Sequence, residues 1–242
     1  MAIDTRAPRL CVLIDADNVP ARYAKAIFEE ISTLGEASVR RIYGDWSAQR
    51  LDKWAKQVAA LGLVADQQFA NTTGKNASDI GLVIAAMDFL HSGLFDGFVL
   101  VSSDSDFTRL AARIREQGLD VYGIGEQKTP EAFRMACKRF IYVENLGSDT
   151  QEPRDIGPGP EKPVAKPPPK DAIPLILSAM NAIDPEGEWY SLGPLGQFIT
   201  QKNPDFDPRS YGAAKLSDLI KKTGRFEVRQ GPGNTLLARR LD

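Results

Sequence analysis

The chain has 242 residues, of which 43% are hydrophobic and 26% are charged, and its formal net charge is −2. This composition is typical of a globular protein, and the near-neutral charge excludes a chain that holds nucleic acid through overall positive charge. No uninterrupted apolar run approaches the roughly 20 residues of a membrane-spanning helix, and the N-terminal residues lack the zones of a signal peptide. We therefore place no segment in a membrane and expect a cytoplasmic protein. Cys11 and Cys137 lack disulfide or metal-ligand spacing, which predicts reduced core residues.

In residues 1–150, short apolar runs alternate with segments of helical periodicity. The predicted strands are Leu10–Ile14, Ser38–Tyr43, Leu63–Asp66, Gly97–Val101, Val121–Ile124 and Phe140–Val143. The predicted helices are Ala21–Leu34, Gln49–Leu61, Ser78–His91, Phe107–Gln117 and Glu131–Ala136. Continuous apolar strands interleaved with amphipathic helices indicate an α/β fold, a Rossmann-like three-layer domain with a parallel sheet.

Residues 151–170 contain seven prolines and almost no large apolar side chain, so we predict a semi-rigid proline-rich linker there. Residues 171–242 then form a second, small domain. Its predicted elements are the helices Ala172–Met180, Leu192–Gln201 and Ser210–Lys222, and a hairpin of Phe226–Arg229 with Thr235–Arg239. Helices followed by a short hairpin indicate a winged-helix-like α+β domain, in which we expect Gly212 to allow helices to approach closely.

Acidic residues follow two of the predicted strands. Asp15 comes directly after the first strand, and Asp104 and Asp106 come after the fourth. Ligands of parallel sheets bind beyond the carboxyl ends of the strands, so these aspartates converge if the two strands are neighbours. Asp79 follows Ser78, a predicted helix N-cap, and can close the ring.

Carboxylates crowded into one pocket repel each other unless a cation neutralises them. Oxygen-only ligands favour Mg²⁺ or Mn²⁺, and such an ion can activate water and stabilise the leaving oxygen in phosphodiester hydrolysis. The single histidine, His91, stands at a predicted helix end and is interpreted as a capping or surface residue. The alternative for Asp17 and Asp106 is that each merely caps the next helix.

Three motifs carry a resemblance to a known family: Leu-Ile-Asp15-Ala-Asp17-Asn18, Lys75-Asn-Ala-Ser-Asp79 and Val-Ser-Ser-Asp104-Ser-Asp106-Phe107. In order and spacing, residues 8–147 resemble the NYN domain, a LabA-like branch of the PIN-like nucleases. The resemblance implies that the matching aspartates hold Mg²⁺ or Mn²⁺ and cleave RNA. It implies four metal ligands, Asp15, Asp79, Asp104 and Asp106, which with Asn18 are the catalytic residues. Ser103 departs from the pattern, because many relatives have glycine there, and this bears on the geometry of the loop.

The segment Tyr211-Gly212-x-x-Lys215-Leu216-x-x-Leu219-Ile220, followed by Phe226, resembles the LOTUS module, also called OST-HTH. The resemblance implies binding of RNA, including structured or G-rich forms, or of a helicase partner. Basic residues concentrated in the last helix and the hairpin are typical of such a surface. The candidate RNA-binding residues are Lys75 in the first domain and Lys215, Lys221, Lys222, Arg225 and Arg229 in the second.

The leading hypothesis is thus a metal-dependent RNA endonuclease with an appended RNA-binding module. One alternative is a non-catalytic RNA-binding or scaffold protein. Another is a phosphatase of the haloacid dehalogenase type, because Asp15-Ala-Asp17-Asn-Val19 matches its nucleophile pattern. Such a phosphatase needs a lysine before its last acidic motif, whereas here that motif directly follows a strand that ends in serine.

Overall fold

A computed structural model describes residues 6–47, 51–67, 77–147 and 166–241. The chain divides into two compact units, Met1–Gln151 and Glu152–Asp242. Residues 151–165 of the predicted linker lie outside the described residues, so the linker and its boundaries stay a prediction. Of the helices in the described residues, none is both long enough and apolar enough to cross a membrane.

Six strands in the described part of the first unit form one parallel sheet. They are β1 (Arg9–Asp15), β2 (Glu36–Gly44), β3 (Val64–Gln67), β4 (Gly97–Val101), β5 (Asp120–Gly125) and β6 (Arg139–Tyr142), in the order β3-β2-β1-β4-β5-β6. The central strands are buried on both faces, as β4 shows along its whole length. This arrangement explains why their sequences are continuously apolar instead of alternating.

Helices cover both faces of the sheet. They are α1 (Ala24–Leu34), α2 (Asp52–Ala60), α3 (Ala77–His91), α4 (Thr108–Glu116) and α5 (Glu131–Ala136). Ile27 and Trp54 pack on one face from α1 and α2, while Leu82 and Ile114 pack on the other from α3 and α4. The predicted Rossmann-like, PIN-like three-layer domain is confirmed. Both cysteines are buried and unpaired, as expected.

The sheet has a topological switch point between β1 and β4. The chain adds β2 and β3 on one side of β1 and then crosses to place β4 on the other side, where Ile14 pairs with Val101. A crevice opens at the carboxyl ends of two strands where the strand order reverses. The fold thus confirms that the first and fourth strands are neighbours, on which the convergence of the aspartates depends.

The second unit contains α6 (Ile173–Ile183), α7 (Leu192–Lys202) and α8 (Leu216–Thr223), with β7 (Tyr190–Ser191), β8 (Phe226–Gln230) and β9 (Leu236–Arg240). The three strands form an antiparallel sheet in the order β7-β9-β8. Ile176, Leu195, Leu219 and Phe226 share one buried core. The winged-helix-like α+β architecture is confirmed.

Three local predictions are wrong. Ser210–Lys222 is not one helix, because Gly212 has a left-handed φ of 71° that ends a 3-10 turn, and α8 begins only at Leu216. No atom lies within 4 Å of a Cβ built on Gly212, so the glycine serves the turn and not a close approach. Ser78 lies in the first turn of α3, which begins at Ala77, and is not its N-cap.

Gly123 in β5 pairs directly with Phe140 in β6 and packs beneath its ring. A Cβ at this position would overlap that ring and lie 2.8 Å from Cys137 Sγ. We expect Gly123→Ala to lower the free energy of unfolding by about 1–3 kcal/mol through overpacking, measured by urea denaturation. Gly147→Ala is the control, because nothing lies within 4 Å of its Cβ position. Equal stability of the two variants would contradict the packing argument.

Candidate functional site

Asp15 ends β1 as a fully enclosed carboxylate, 1% exposed. Its Oδ2 accepts hydrogen bonds from Asn18 Nδ2 at 2.7 Å and from Ser102 Oγ at 2.8 Å, and its Oδ1 accepts one from the Asp17 backbone N–H at 3.2 Å. Burial raises the pKa of Asp15, while these hydrogen bonds oppose the shift because they favour the ionised form. The carboxylate is therefore held in one orientation at the end of the strand.

Ser102 joins the ends of β1 and β4. Its hydroxyl donates to Asp15 and accepts a hydrogen bond from the Asp104 backbone N–H at 3.0 Å. Asp104 is half-buried, and its Oδ1 accepts from the Asp106 backbone N–H at 2.9 Å, capping the short 3-10 turn that leads into α4. A buried serine at the end of an apolar strand needs hydrogen-bond partners, and this one connects two acidic motifs.

Asp79, half-buried in the first turn of α3, faces the same region. Burial is the largest cause that raises the pKa of Asp79 to about 6, and the other four are the charges of Asp15, Asp104, Asp106 and Asp17. All five of these causes act in the same direction. The structure thus brings aspartates from β1, from the segment after β4 and from α3 into one negative field.

The remaining acidic-motif residues differ in exposure. Asn18 is half-buried and bound to Asp15, whereas Asp17 and Asp106 are exposed. Asp104, not Asp106, holds the cap of the turn before α4. Capping therefore accounts in part for an aspartate at position 104. It does not account for the one at position 106, whose side chain is exposed.

The aspartates of these motifs are candidate ligands for a divalent ion. Within the described residues, no group of three or more aspartate, glutamate, histidine or cysteine side chains is arranged to hold a metal ion. The aspartates nevertheless offer only oxygen donors, which Mg²⁺ and Mn²⁺ prefer. Their mutual repulsion at Asp79 is the imbalance that a bound cation relieves. The aspartates therefore fit such an ion in the chemistry of their donor atoms.

Lys75, predicted to bind RNA, lies outside the described residues, so its role stays a prediction. The other candidate RNA-binding residues lie in the second unit. Lys215 is at the N-cap position of α8, and Lys221 and Lys222 are in its last turn. Arg225 follows directly, after the left-handed Gly224, and all four basic residues are exposed.

Arg229 lies elsewhere, on β8, where its guanidinium carbon is 3.7 Å from the centroid of the Trp189 ring. Trp189 and Ser102 are not among the site residues that the sequence predicts. A serine two residues before Asp104 was a usable signal for Ser102. Trp189 had no comparable signal, because its contact with Arg229 depends on the pairing of β7 with β9 and of β9 with β8.

A parallel sheet with aspartates gathered at its switch point defines the first unit as a PIN-like α/β domain. The chain belongs to the NYN family, whose family model, described as the NYN domain, matches residues 9–144. A second model, described as the OST-HTH/LOTUS domain, matches residues 164–237. The chain thus combines a nuclease-like domain, of a kind generally dependent on divalent metal, with a domain of an RNA-binding type.

Similar solved structures include a protein of unknown function from Vibrio parahaemolyticus, with 18% identity and a TM-score of 0.49, covering 59% of this chain and 96% of that chain. Another is an uncharacterized protein from Nitrosomonas europaea, with 30% identity and a TM-score of 0.25, covering 40% of this chain and 91% of that chain. No curated protein matches the chain.

Ser102→Ala tests the connection between β1 and β4. The variant leaves the buried Asp15 Oδ2 with Asn18 alone and the Asp104 N–H without its acceptor. We expect a loss of about 1–3 kcal/mol in the free energy of unfolding, measured by urea denaturation. Ser32→Ala, which removes an exposed hydroxyl bonded to its own helix, is the control and should change stability by less than about 0.5 kcal/mol. A Ser102 variant as stable as this control would rule out the structural role.

Asp79→Asn tests, without any assay of activity, whether the aspartates repel one another electrostatically. Because the folded protein holds the Asp79 proton up to a pKa of about 6, above the usual 3.8, stability falls as pH rises between these values. In chelator at pH 8, Asp79→Asn should therefore raise the free energy of unfolding by roughly 1 kcal/mol, after discounting for solvent screening. At pH 4 the gain should nearly vanish.

The matched control for this experiment is Asp88→Asn, the same change at an exposed position further along α3. We expect it to leave stability unchanged at both pH values. Thermal unfolding of the full chain measures both variants. If Asp79→Asn stabilised the protein no more than Asp88→Asn at pH 8, the aspartates would not share one field.

Proposed function

We propose that this protein is a metal-dependent RNA endonuclease, in which Asp15, Asp79, Asp104 and Asp106 hold Mg²⁺ or Mn²⁺ and Asn18 assists. The observation that carries the proposal is the pKa of Asp79, which is raised by burial and then by the charges of four aspartates from two other segments. Such an arrangement is costly in a folded protein and is typical of a site for a cation. The NYN family membership of the chain supports the same conclusion.

A divalent ion in this position supplies the charge that activates water and stabilises the leaving oxygen of a phosphodiester. The residues of the chain then have distinct tasks. Asp15 is a fixed ligand, because three hydrogen bonds orient its carboxylate. Asn18 holds Oδ2 of that carboxylate in place, and the exposed Asp106 lies on the side open to solvent and substrate.

RNA carries the same sign of charge as the aspartates, so the second unit is proposed to hold the substrate. Its exposed Lys221, Lys222 and Arg225 concentrate positive charge at the end of α8, where phosphate groups can bind. Attachment to the same chain raises the effective concentration of bound RNA near the aspartates without any new contact. The OST-HTH/LOTUS match supports this assignment.

A non-catalytic RNA-binding protein is the second candidate. It is favoured by one observation, that within the described residues no set of three metal-ligand side chains is arranged around one point. The phosphatase alternative has less support. The family model that matches residues 9–144 describes the NYN domain, which is a nuclease-like domain.

The deciding experiment incubates the full chain with structured and single-stranded RNAs in Mn²⁺, Mg²⁺ or chelator. We expect cleavage only with a divalent ion, and at least about a 100-fold loss of rate in Asp104→Asn, because this change removes a ligand charge. The amide keeps Oδ1, which caps the turn, so folding should be preserved. Asp88→Asn should cleave like the natural protein. RNA binding without metal-stimulated cleavage would instead establish the non-catalytic candidate.

A further inference from the structure

The three-stranded sheet of the second unit has one face turned away from the core. Val228 and Ala238 are paired across β8 and β9 and belong to the core side. Side chains alternate along a strand, so Arg229 and its partner Leu237 share the opposite face, together with Arg239. We call this surface, completed by Trp189, the outer face of the sheet.

Trp189 precedes β7, whose first residue, Tyr190, is buried and pairs with Ala238. The alternation therefore places Trp189 on the outer face, and its ring is half-buried. The Arg229 guanidinium carbon lies 3.7 Å from the ring centroid, and that of Arg239 lies 5.0 Å away. The first distance is that of direct van der Waals stacking between a guanidinium group and an indole ring.

The two arginines differ in their electrostatic partners. Arg239 is bound to Glu227 at 2.7 Å and to Glu188 at 3.1 Å, so its charge is compensated. Arg229 is exposed and forms no ion pair with a carboxylate in residues 166–241. Its charge is available to a ligand, and its guanidinium group lies against the face of the indole ring.

We infer that the outer face binds an unpaired nucleotide of single-stranded RNA, with the base stacked on the Arg229 guanidinium, which itself is stacked on Trp189. Bases splayed out of single-stranded RNA stack on guanidinium planes as well as on aromatic rings. The N–H groups around the edge of the plane remain directed sideways, toward backbone phosphate. Arg229 is the contact residue, and Trp189 is a positioning residue. The inference rests on the proposed function and specifies how the second unit would hold its RNA.

The structure favours a planar contact over simple charge attraction. Arg229 is a single uncompensated cation beside an arginine already bound by two glutamates, so the local charge is too small to hold a polyanion by itself. Stacking of one base contributes more than one exposed charge does. Duplex RNA hides the faces of its bases, so it cannot use this surface in the same way.

The test measures binding of full-length protein to a fluorescent single-stranded RNA of about 10 nucleotides and to the matching duplex, in chelator to prevent cleavage. Arg229→Gln and Trp189→Leu should each weaken single-strand binding by about 10-fold and duplex binding by less than about 2-fold. The effects should not add in the double variant, because the residues act as one stack. Arg229→Lys keeps the charge but not the plane, and should remain at least about 3-fold weaker than the natural protein.

Lys202→Gln is the matched control, because it removes one positive charge and the contact of Lys202 with the Phe198 ring, whose centroid lies 5.0 Å away. It should change binding by less than about 2-fold. Arg229 is exposed, so Arg229→Gln should keep the thermal stability of the protein. That keeps the test valid if Trp189→Leu destabilises the second unit.

Full binding by Arg229→Lys, or equal losses for single-stranded and duplex RNA, would overturn the stacking contact. Unchanged binding by Arg229→Gln would reject the outer face while leaving RNA binding elsewhere on the protein intact. If the natural protein bound no RNA, the proposed RNA-directed function would fail together with this inference. A natural protein that binds but does not cleave with Mn²⁺ would reject the nuclease activity alone.

Discussion

The hydrogen bond between Ser102 and Asp15 is the constraint on which the site depends. It crosses from the end of β4 to the end of β1, 87 residues apart in sequence, and the same hydroxyl accepts the Asp104 N–H. Strand pairing alone brings Ile14 and Val101 side by side, but it does not set the direction of a carboxylate beyond the strand. The serine does so, because a buried hydroxyl and a buried carboxylate each need the other as a partner.

The aspartates gathered at the switch point of the sheet lower the stability of the protein when no ion is bound. Burial and like charges both disfavour the ionised form of Asp79, and its neighbours in the field have the same sign. A sequence selected only for stability would place an amide or an apolar residue there. Repulsion between neighbouring side chains inside an otherwise well-packed domain is expected at functional sites. The surrounding core offsets the stability that is lost there.

The sequence predicted the first unit well because its signals are local and repeated. β4 and α5 have the predicted bounds, and β1 extends the predicted strand by one residue at each end. The predictions fail where one residue reverses the chain or where a contact arises only from tertiary pairing. Gly212 divides a segment that has continuous helical periodicity, and β7 has only two residues, too few for any periodic pattern. Topology indicated that Asp15, Asp104 and Asp106 converge, whereas the raised pKa of Asp79 depends first on burial, which no sequence pattern contains.

The two units differ in the charge that they present to a polyanion. The first gathers aspartates, so it repels RNA unless an ion intervenes, and the whole chain carries a net charge of −2 that gives no general attraction. The second has exposed cations at the end of α8 and a guanidinium stacked on an indole at the outer face. In the proposed function, the second unit supplies affinity and the first supplies reactivity, so both units are necessary. On that proposal, RNA near the aspartates alone would be repelled, and RNA held by the second unit alone would meet no group suited to cleave it.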